Sequence, residues 1–208
     1  MNRMLYSFVI LASGILFCLG NFSPVNATTQ PDPTEQFRPY VEEIVSILTD
    51  PDLQTKEKHS LRRENMRRVI SECFNFDEMS RRVLARNWPK RNKDEQIYFV
   101  SQFTKLLENA YIGKIEAYSD QKIEFTNQRI KGQRAQVVTN IIDKETIIAV
   151  SYIMILQDNR WKVYDVVIEG VSLIRNYKEQ FRQILRREGY QYLLTQIEKK
   201  VTELEKGD

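Results

Sequence analysis

Two carboxylates, Asp165 and Glu169, have the spacing in this sequence that most suggests catalysis. They lie four residues apart in an apolar run typical of a β-strand, so both side chains would point to the same face. Residues four apart along a strand have Cα atoms roughly 13 Å apart, whereas a retaining glycosidase needs carboxyl groups about 5 Å apart. The spacing favours structural roles over acid–base chemistry, with Asp165 accepting hydrogen bonds at the sheet edge and Glu169 fixing a turn at Gly170.

Histidine and cysteine add little further chemistry. His59 is the single histidine of the chain and lies in a charged segment without a second ligand at metal spacing, so we expect a solvated surface residue. Cys73 shares a helical phase with apolar residues, which is typical of a small buried thiol. The sequence lacks a Gly-rich phosphate loop and a G-x-S-x-G elbow. We therefore expect a protein that is not an enzyme and that uses neither a metal nor a cofactor.

The first 27 residues have the pattern of a signal peptide. Arg3 supplies a positive start, residues 5–20 are uncharged and mostly apolar, and Val25-Asn26-Ala27 offers small side chains where a signal peptidase cuts. The apolar run is short for a membrane span, although an anchor that is never cut is the alternative. We expect residues 28–208 to form a single domain in the periplasm of a cell with an outer membrane.

The elements that would position any site are helices on both sides of a central β-region. Apolar residues recur with a helical period, Asn92 and Glu95 form a capping-box pattern, and Ser172 is a plausible cap for the helix that follows. Helices are predicted near residues 37–48, 56–74, 76–84, 92–118, 173–185 and 193–204.

The central region, Lys122 to Ile168, has β-branched and aromatic runs separated by short polar breaks, which predicts a meander of four antiparallel strands. The third run, Thr146 to Leu156, is apolar on both faces, so we expect both of its faces to be covered. Helices, then a sheet, then helices predict an α+β fold, in which a curved four-stranded antiparallel sheet is wrapped by the N- and C-terminal helices.

Basic residues are bunched although the formal net charge is only +3. One interpretation is a pair of solvated helix faces, and the other is docking to an anionic membrane or an acidic partner. We expect no nucleic-acid partner outside the cytoplasm. The two groups are Arg62, Arg63, Arg67 and Arg68, and then Arg81, Arg82, Arg86, Lys90 and Arg91.

The run from Trp161 to Phe181 (WKVYDVVIEGVSLIRNYKEQF) closely resembles the signature of the MlaC family, also called toluene-tolerance auxiliary proteins. Supporting matches lie in Phe76–Leu84, at Trp88, and along Phe99–Tyr111, so the resemblance covers nearly the whole mature chain. Ala85 stands where the family usually has Gly.

The resemblance implies an NTF2-like or cystatin-like fold around an apolar cavity. It implies a carrier of phospholipid between an outer-membrane lipoprotein complex and an inner-membrane ABC transporter with an MCE-domain protein, a function that maintains outer-membrane lipid asymmetry. Phospholipid is then cargo and not a cofactor. The alternatives are a hopanoid-like cargo and an adaptor with a filled core. The candidate pocket residues are Val83, Leu84, Trp88, Phe99, Phe103, Leu107, Tyr111, Val138, Val150, Tyr152, Met154, Val166, Ile168, Val171, Leu173, Tyr177 and Phe181.

Overall fold

A computed structural model describes residues 30–206 of the chain, and the predicted signal peptide, residues 1–27, lies outside them. The described part consists of helices, one antiparallel sheet, and two further helices, as the sequence predicts. The helices are α1 (Pro33–Thr49), α2 (His59–Cys73), α3 (Phe76–Leu84), α4 (Lys93–Glu116), α5 (Leu173–Arg187) and α6 (Tyr190–Lys206). The strands are β1 (Lys122–Lys131), β2 (Arg134–Asp143), β3 (Thr146–Gln157), β4 (Arg160–Ile168) and β5 (Val171–Ser172).

The helix boundaries follow from local caps. Asn92 accepts a hydrogen bond from the Glu95 amide at 2.9 Å, and the Glu95 carboxylate accepts one from the Asn92 amide at 2.9 Å, so the predicted capping box is present. Helix α2 starts at His59, later than predicted, because Lys56–Lys58 form a separate 3-10 turn. No described helix combines the length and apolar character that a membrane crossing requires.

The sheet has five strands in the order β1-β2-β3-β4-β5, one more than predicted. The extra strand, β5, has only two residues and pairs with the end of β4 through a turn at Glu169 and Gly170. Both turn residues have positive φ, 48° and 83°, a backbone conformation that glycine adopts without steric cost. A two-residue strand leaves no periodic signal in the sequence.

Strand β3 is covered on both faces only along its C-terminal half. Met154 is buried on one face, while Ile153 and Ile155 on the other face pack against the C-terminal helices. Ile147, in the N-terminal half, is 59% exposed. The prediction that both faces are covered is therefore wrong for the first residues of the strand.

The chain leaves the sheet through a hydrogen-bonded junction between β4 and α5. The Ser172 hydroxyl donates to the Asp165 carboxylate at 2.6 Å and accepts from the Arg175 amide at 3.0 Å. The same carboxylate accepts from the Ile174 amide at 3.0 Å. Asp165 and Ser172 thus satisfy backbone amides that the first turn of α5 leaves free. This arrangement supports the structural interpretation of Asp165.

Replacement of Ser172 by alanine tests this junction. We expect Ser172→Ala to lower the free energy of unfolding by about 1–2 kcal/mol, since the helix loses its cap and Asp165 loses a donor. Urea denaturation of the purified chain measures the change. Ser46→Ala, at an exposed position in α1, is the control and should change stability by less than about 0.5 kcal/mol. Equal effects of the two substitutions would contradict the role of the cap.

Candidate functional site

The buried apolar residues lie on both sides of the sheet. On one side, helices α3 to α6 pack over β3 and β4 around Phe99, Phe103 and Phe181, and we call this cluster the helical core. On the other side, α1 contacts the sheet through Phe37, which lies 4.5 Å from Tyr152 between ring centroids, and we call this cluster the α1 core. The sheet therefore separates these two clusters, and a third buried cluster joins α1, α2 and α4 around Met66, Val69 and Ile112.

Most of the predicted pocket residues belong to the helical core. Six of them are buried in it: Val83, Leu84, Phe99, Phe103, Leu107 and Phe181. Four more pack against it while remaining partly exposed: Trp88, Tyr111, Leu173 and Tyr177. These ten residues come from α3, the 3-10 turn Ala85–Lys90, α4 and α5. The structure brings these ten residues together in one core, and their contact with a lipid remains a prediction.

The other predicted pocket residues lie elsewhere in the fold. Met154 is buried in the α1 core, and Tyr152 and Val166 pack against that core. Val150 is buried on the same face of β3 as Tyr152 and Met154, because it precedes them by two and four residues. Val138 lies opposite Ser151 and so points to the other face, while Ile168 and Val171 are 39% and 63% exposed. The seventeen residues therefore do not line a single pocket.

A groove of about 330 Å³ runs between α4, α5 and α6, beside the helical core. Two of the predicted residues, Tyr177 and Phe181, line it. The remaining apolar lining comes from Leu106, Ala110, Ile184, Leu193, Ile197 and Leu204. Gln180, Gln196 and Lys200 supply the polar groups of the lining. An apolar channel with a few polar groups suits an amphiphile better than a polar metabolite.

A cluster of aromatic rings, which we call the aromatic floor, lies under the groove: Tyr177 and Phe181 line it, and Phe99 and Phe103 pack beneath them. The Phe103 ring lies 5.4 Å from Tyr177 and 5.8 Å from Phe181, and both contacts are edge-to-face. Phe99 stacks on Phe103 at 5.8 Å. Each such pair contributes roughly 0.5–1.5 kcal/mol beyond the burial of its area. The floor is consequently a rigid part of the core, and the more exposed Tyr177 is its outermost ring.

Helix α6 supplies five of the nine lining residues that the predicted set lacked, and α4 and α5 supply the other four. Leu193, Ile197 and Leu204 line the groove, and together with Val201 they form the apolar stripe that the sequence places on the last helix. The stripe identifies the buried face of α6, but the sequence does not show which helices that face meets. In the structure it meets α4 and α5.

Burial favours the neutral form of two tyrosines at and beside the groove. Burial raises the pKa of the Tyr177 phenol to about 12, and the nearby Tyr111 adds to the shift. Burial also raises the pKa of Tyr111. Away from the groove, burial raises the pKa of the Cys73 thiol to about 12, which makes a thiolate nucleophile unavailable at neutral pH.

His59 was predicted to be a solvated surface residue, but its ring lies 3.2 Å from the Glu116 carboxylate and its side chain is 39% exposed. Arg62 and Arg63 contact the same carboxylate and lower the pKa of Glu116, against the effect of its burial. Within residues 30–206, no group of three or more His, Cys, Asp or Glu side chains has a metal-binding arrangement. The contacts of His59, Arg62 and Arg63 with Glu116 join α2 to α4.

The fold and the groove define a class of α+β protein in which helices flank an antiparallel sheet and leave an apolar channel open beside an aromatic core. The family model of the MlaC protein matches residues 38–199, and the chain belongs to the MlaC family.

Two relatives and one solved structure agree with this assignment. The intermembrane phospholipid transport system binding protein MlaC of Haemophilus influenzae is 23% identical over 154 residues, 71% of this chain and 72% of the relative. The toluene tolerance protein ttg2D of Pseudomonas putida is 21% identical over 183 residues, 86% of this chain and 85% of the relative. The phospholipid-binding protein of Ralstonia solanacearum, solved in complex with a phospholipid, superposes with a TM-score of 0.74 at 22% identity, covering 84% of this chain and 99% of that one. This last similarity shows that the two share a fold.

The position of Tyr177 predicts a pH dependence of stability. Its pKa of about 12 lies above the ordinary 10.0. The protonated phenol therefore stabilises the fold below pH 10, and this contribution is lost as the pH rises from about 10 toward 12. We expect Tyr177→Phe, which cannot ionise, to lose less stability than the parent between about pH 8 and pH 11.

Urea denaturation at the two pH values measures this difference. Tyr192→Phe is the control, because Tyr192 is 47% exposed, and it should follow the parent at both values. If Tyr177→Phe loses as much stability as the parent and the control between the two pH values, the Tyr177 phenol is not buried in the folded chain.

Proposed function

We propose that this chain is a periplasmic carrier that binds the acyl tails of a phospholipid in the groove between α4, α5 and α6. The observation that carries the proposal is the apolar groove itself, since it opens beside a buried aromatic core and contains few polar groups. The names of the relatives from Haemophilus influenzae and Ralstonia solanacearum support the same cargo. The predicted signal peptide supports the periplasmic location.

The size of the groove limits how much of a lipid enters without rearrangement. A volume of 330 Å³ holds on the order of ten methylene groups if each takes about the 30 Å³ of a water molecule. Burying these groups stabilises the complex by on the order of 8 kcal/mol before the costs of ordering. A lipid with two long tails needs on the order of 1,000 Å³ by the same measure, so the groove must widen to hold both. The enclosed cavity implied by the family resemblance remains a prediction.

Helix α6 is the wall that we propose moves. It packs on α4 and α5 through Leu193, Leu194, Ile197 and Val201, and its N-terminal end is joined to α5 by Glu188 and Gly189. Gly189 has φ 87°, so the link adopts a backbone conformation that other residues rarely adopt. Displacement of α6 exposes the aromatic floor to the tails while the sheet keeps its pairing.

The headgroup would stay at the mouth of the groove, near Gln180, Gln196 and Lys200. Because the buried tails make release into water very slow, transfer requires docking on a complex that offers the tails another apolar path. We propose the inner-membrane ABC transporter complex with its MCE-domain protein and the outer-membrane lipoprotein complex as these partners. Carriage of phospholipid between them would maintain the lipid asymmetry of the outer membrane.

An adaptor with a filled core is the second candidate function. The observation that favours it is the tight aromatic packing under the groove, where rings already occupy the space that tails would need. A hopanoid-like cargo would leave the carrier function unchanged and would change only the lipid that the groove holds. Direct analysis of the bound material separates the three cases.

A variant that fills the groove tests the proposal. Ala110 lies in α4 and lines the groove, so the indole of Ala110→Trp would occupy the space for the tails. We expect native mass spectrometry of chains purified from the periplasm without detergent to show phospholipid on the parent and at least a tenfold lower occupancy on the variant. Solvent extraction identifies the lipid.

Ser101→Trp is the matched control. Ser101 is exposed and lies nine residues before Ala110 in the same helix, on the opposite side. We expect this variant to keep the lipid occupancy of the parent. A bare parent chain would favour the adaptor, and equal occupancy in all three chains would place the tails outside the groove. Met154 is unsuitable for such a test, because it is completely buried in the α1 core and a polar substitution there would disrupt folding.

A further inference from the structure

The basic residues of α2, which the sequence offered as a docking face, are paired with acidic side chains of the same chain. The pairs are Arg62–Glu116 (3.2 Å), Arg63–Glu116 (2.8 Å), Arg67–Glu108 (3.6 Å) and Arg68–Glu43 (2.6 Å). In α3, Arg81 and Arg82 both contact the buried Glu78 at 2.6 Å. The pairs of α2 join it to α1 and α4, and those of α3 lie within that helix. These pairs reduce the charge that either group offers a partner.

Among the described residues, positive charge without an acidic partner lies at Arg86 and Lys90 and, to a larger extent, on α5. Five basic residues and one acidic residue, Glu179, give this helix a net charge of +4. All 208 residues together carry +3, so the chain outside α5 sums to −1. The five basic residues are Arg175, Lys178, Arg182, Arg186 and Arg187, and all of them are exposed. Helix α5 therefore has the highest net positive charge of the helices described in residues 30–206.

Four of these residues form a straight row, which we call the α5 stripe: Arg175, Lys178, Arg182 and Arg186. Steps of three, four and four residues keep them on one face of the helix over about 16 Å. Within residues 30–206, the ion pairs of the stripe consist of one contact, Arg182–Glu179 at 2.6 Å. The charges of Arg175, Lys178 and Arg186 are thus free to meet an external anionic surface.

The surroundings of the stripe suit a bilayer. Tyr177, Gln180 and Ile184 line the groove from the opposite face of the same helix. Arg175 and Ile184 are nine residues apart, as are Tyr177 and Arg186, so a surface that contacts the stripe leaves the groove uncovered. Just before α5, Val171 is 63% exposed and Ile168 is 39% exposed. Cations in a row beside exposed aliphatic side chains are typical of binding at a lipid interface.

We infer that the α5 stripe binds the surface of a bilayer that contains anionic phospholipid. A row of cations along one helix can contact several phosphate headgroups of a bilayer at once, and arginine can donate two hydrogen bonds to each phosphate. Each basic residue near such a surface strengthens binding roughly fivefold. The contact leaves the groove, on the opposite face of α5, directed away from the bilayer. The inference concerns the stripe alone and does not require that the groove hold lipid.

Vesicle sedimentation tests the inference. The purified chain is mixed with vesicles of phosphatidylcholine, or of phosphatidylcholine with phosphatidylglycerol, at low and high salt. We expect the parent to bind the anionic vesicles and to be released by high salt, which screens surface charges within a few ångströms. The triple variant R175Q/K178Q/R186Q should bind them on the order of a hundredfold more weakly, since three roughly fivefold contributions are lost.

Two further variants control for net charge and for folding. K56Q/K131Q/R134Q removes three exposed charges distant in sequence from α5 and should bind nearly as tightly as the parent. R175K/R186K keeps the charge of the stripe and should lose less than tenfold. Native mass spectrometry of the same variants should show the cargo of the parent, so failure of the membrane inference is distinguishable from failure of the carrier proposal.

Several outcomes would overturn the inference. They are equal binding of the parent to neutral and anionic vesicles, no binding to either, or equal weakening in the two triple variants. Recruitment only to vesicles that also contain an acidic membrane protein would assign the stripe to a protein partner instead.

Discussion

The requirement that the C-terminal half of β3 and the adjoining residues of β4 be covered on both faces determines the rest of the fold. Met154 and Val163 on one face are completely buried, and Ile153 and Ile155 on the other face pack against helices. An antiparallel sheet with one face in water would alternate apolar and polar residues, and these strands do not. Helix α1 must therefore lie on one side of the sheet while α3 to α6 gather on the other. A bulge opposite Ile153 and Met154 accommodates Tyr164, which joins the helical core.

The large aromatic residues of the helices that cover the sheet shape the groove. Phe99, Phe103 and Phe181 fill the space beneath α4 and α5 with rings, so a third helix, α6, cannot approach both along its whole length. The volume left between the three helices is lined mainly by side chains that already face the core. The groove is thus a product of the packing that stabilises the protein, and the residues that could contact a lipid tail are the same kind of residue that holds the fold together.

The sequence predicts the helices and strands well, but it predicts poorly which of them pack against each other. Asn92 with Glu95, and Ser172, are local signals, because each cap involves residues within three positions, and the structure contains both caps. The division of the predicted pocket between two faces of the sheet was not predictable, since periodicity shows which residues of an element are buried but not against what. Tyr152 and Phe103 are both buried-face aromatics, yet they lie in different cores. Strand β5 was not predicted because two residues have no period. The exposure of Ile147 was not predicted because composition does not reveal where a covering helix ends.

A single run, Trp161 to Phe181, connects these features. It contains the buried half of β4, the carboxylate and hydroxyl that cap α5, and the first turns of α5, which present Tyr177 and Phe181 to the groove and Arg175 and Lys178 to solvent. The junction at Asp165 and Ser172 sets the direction in which α5 leaves the sheet. A rotation of α5 about its axis would turn the lining of the groove and the α5 stripe together, because both belong to one rigid helix. The hydrogen bonds of Asp165 and Ser172 therefore fix the positions of the groove lining and of the α5 stripe, on opposite faces of the helix, at the same time.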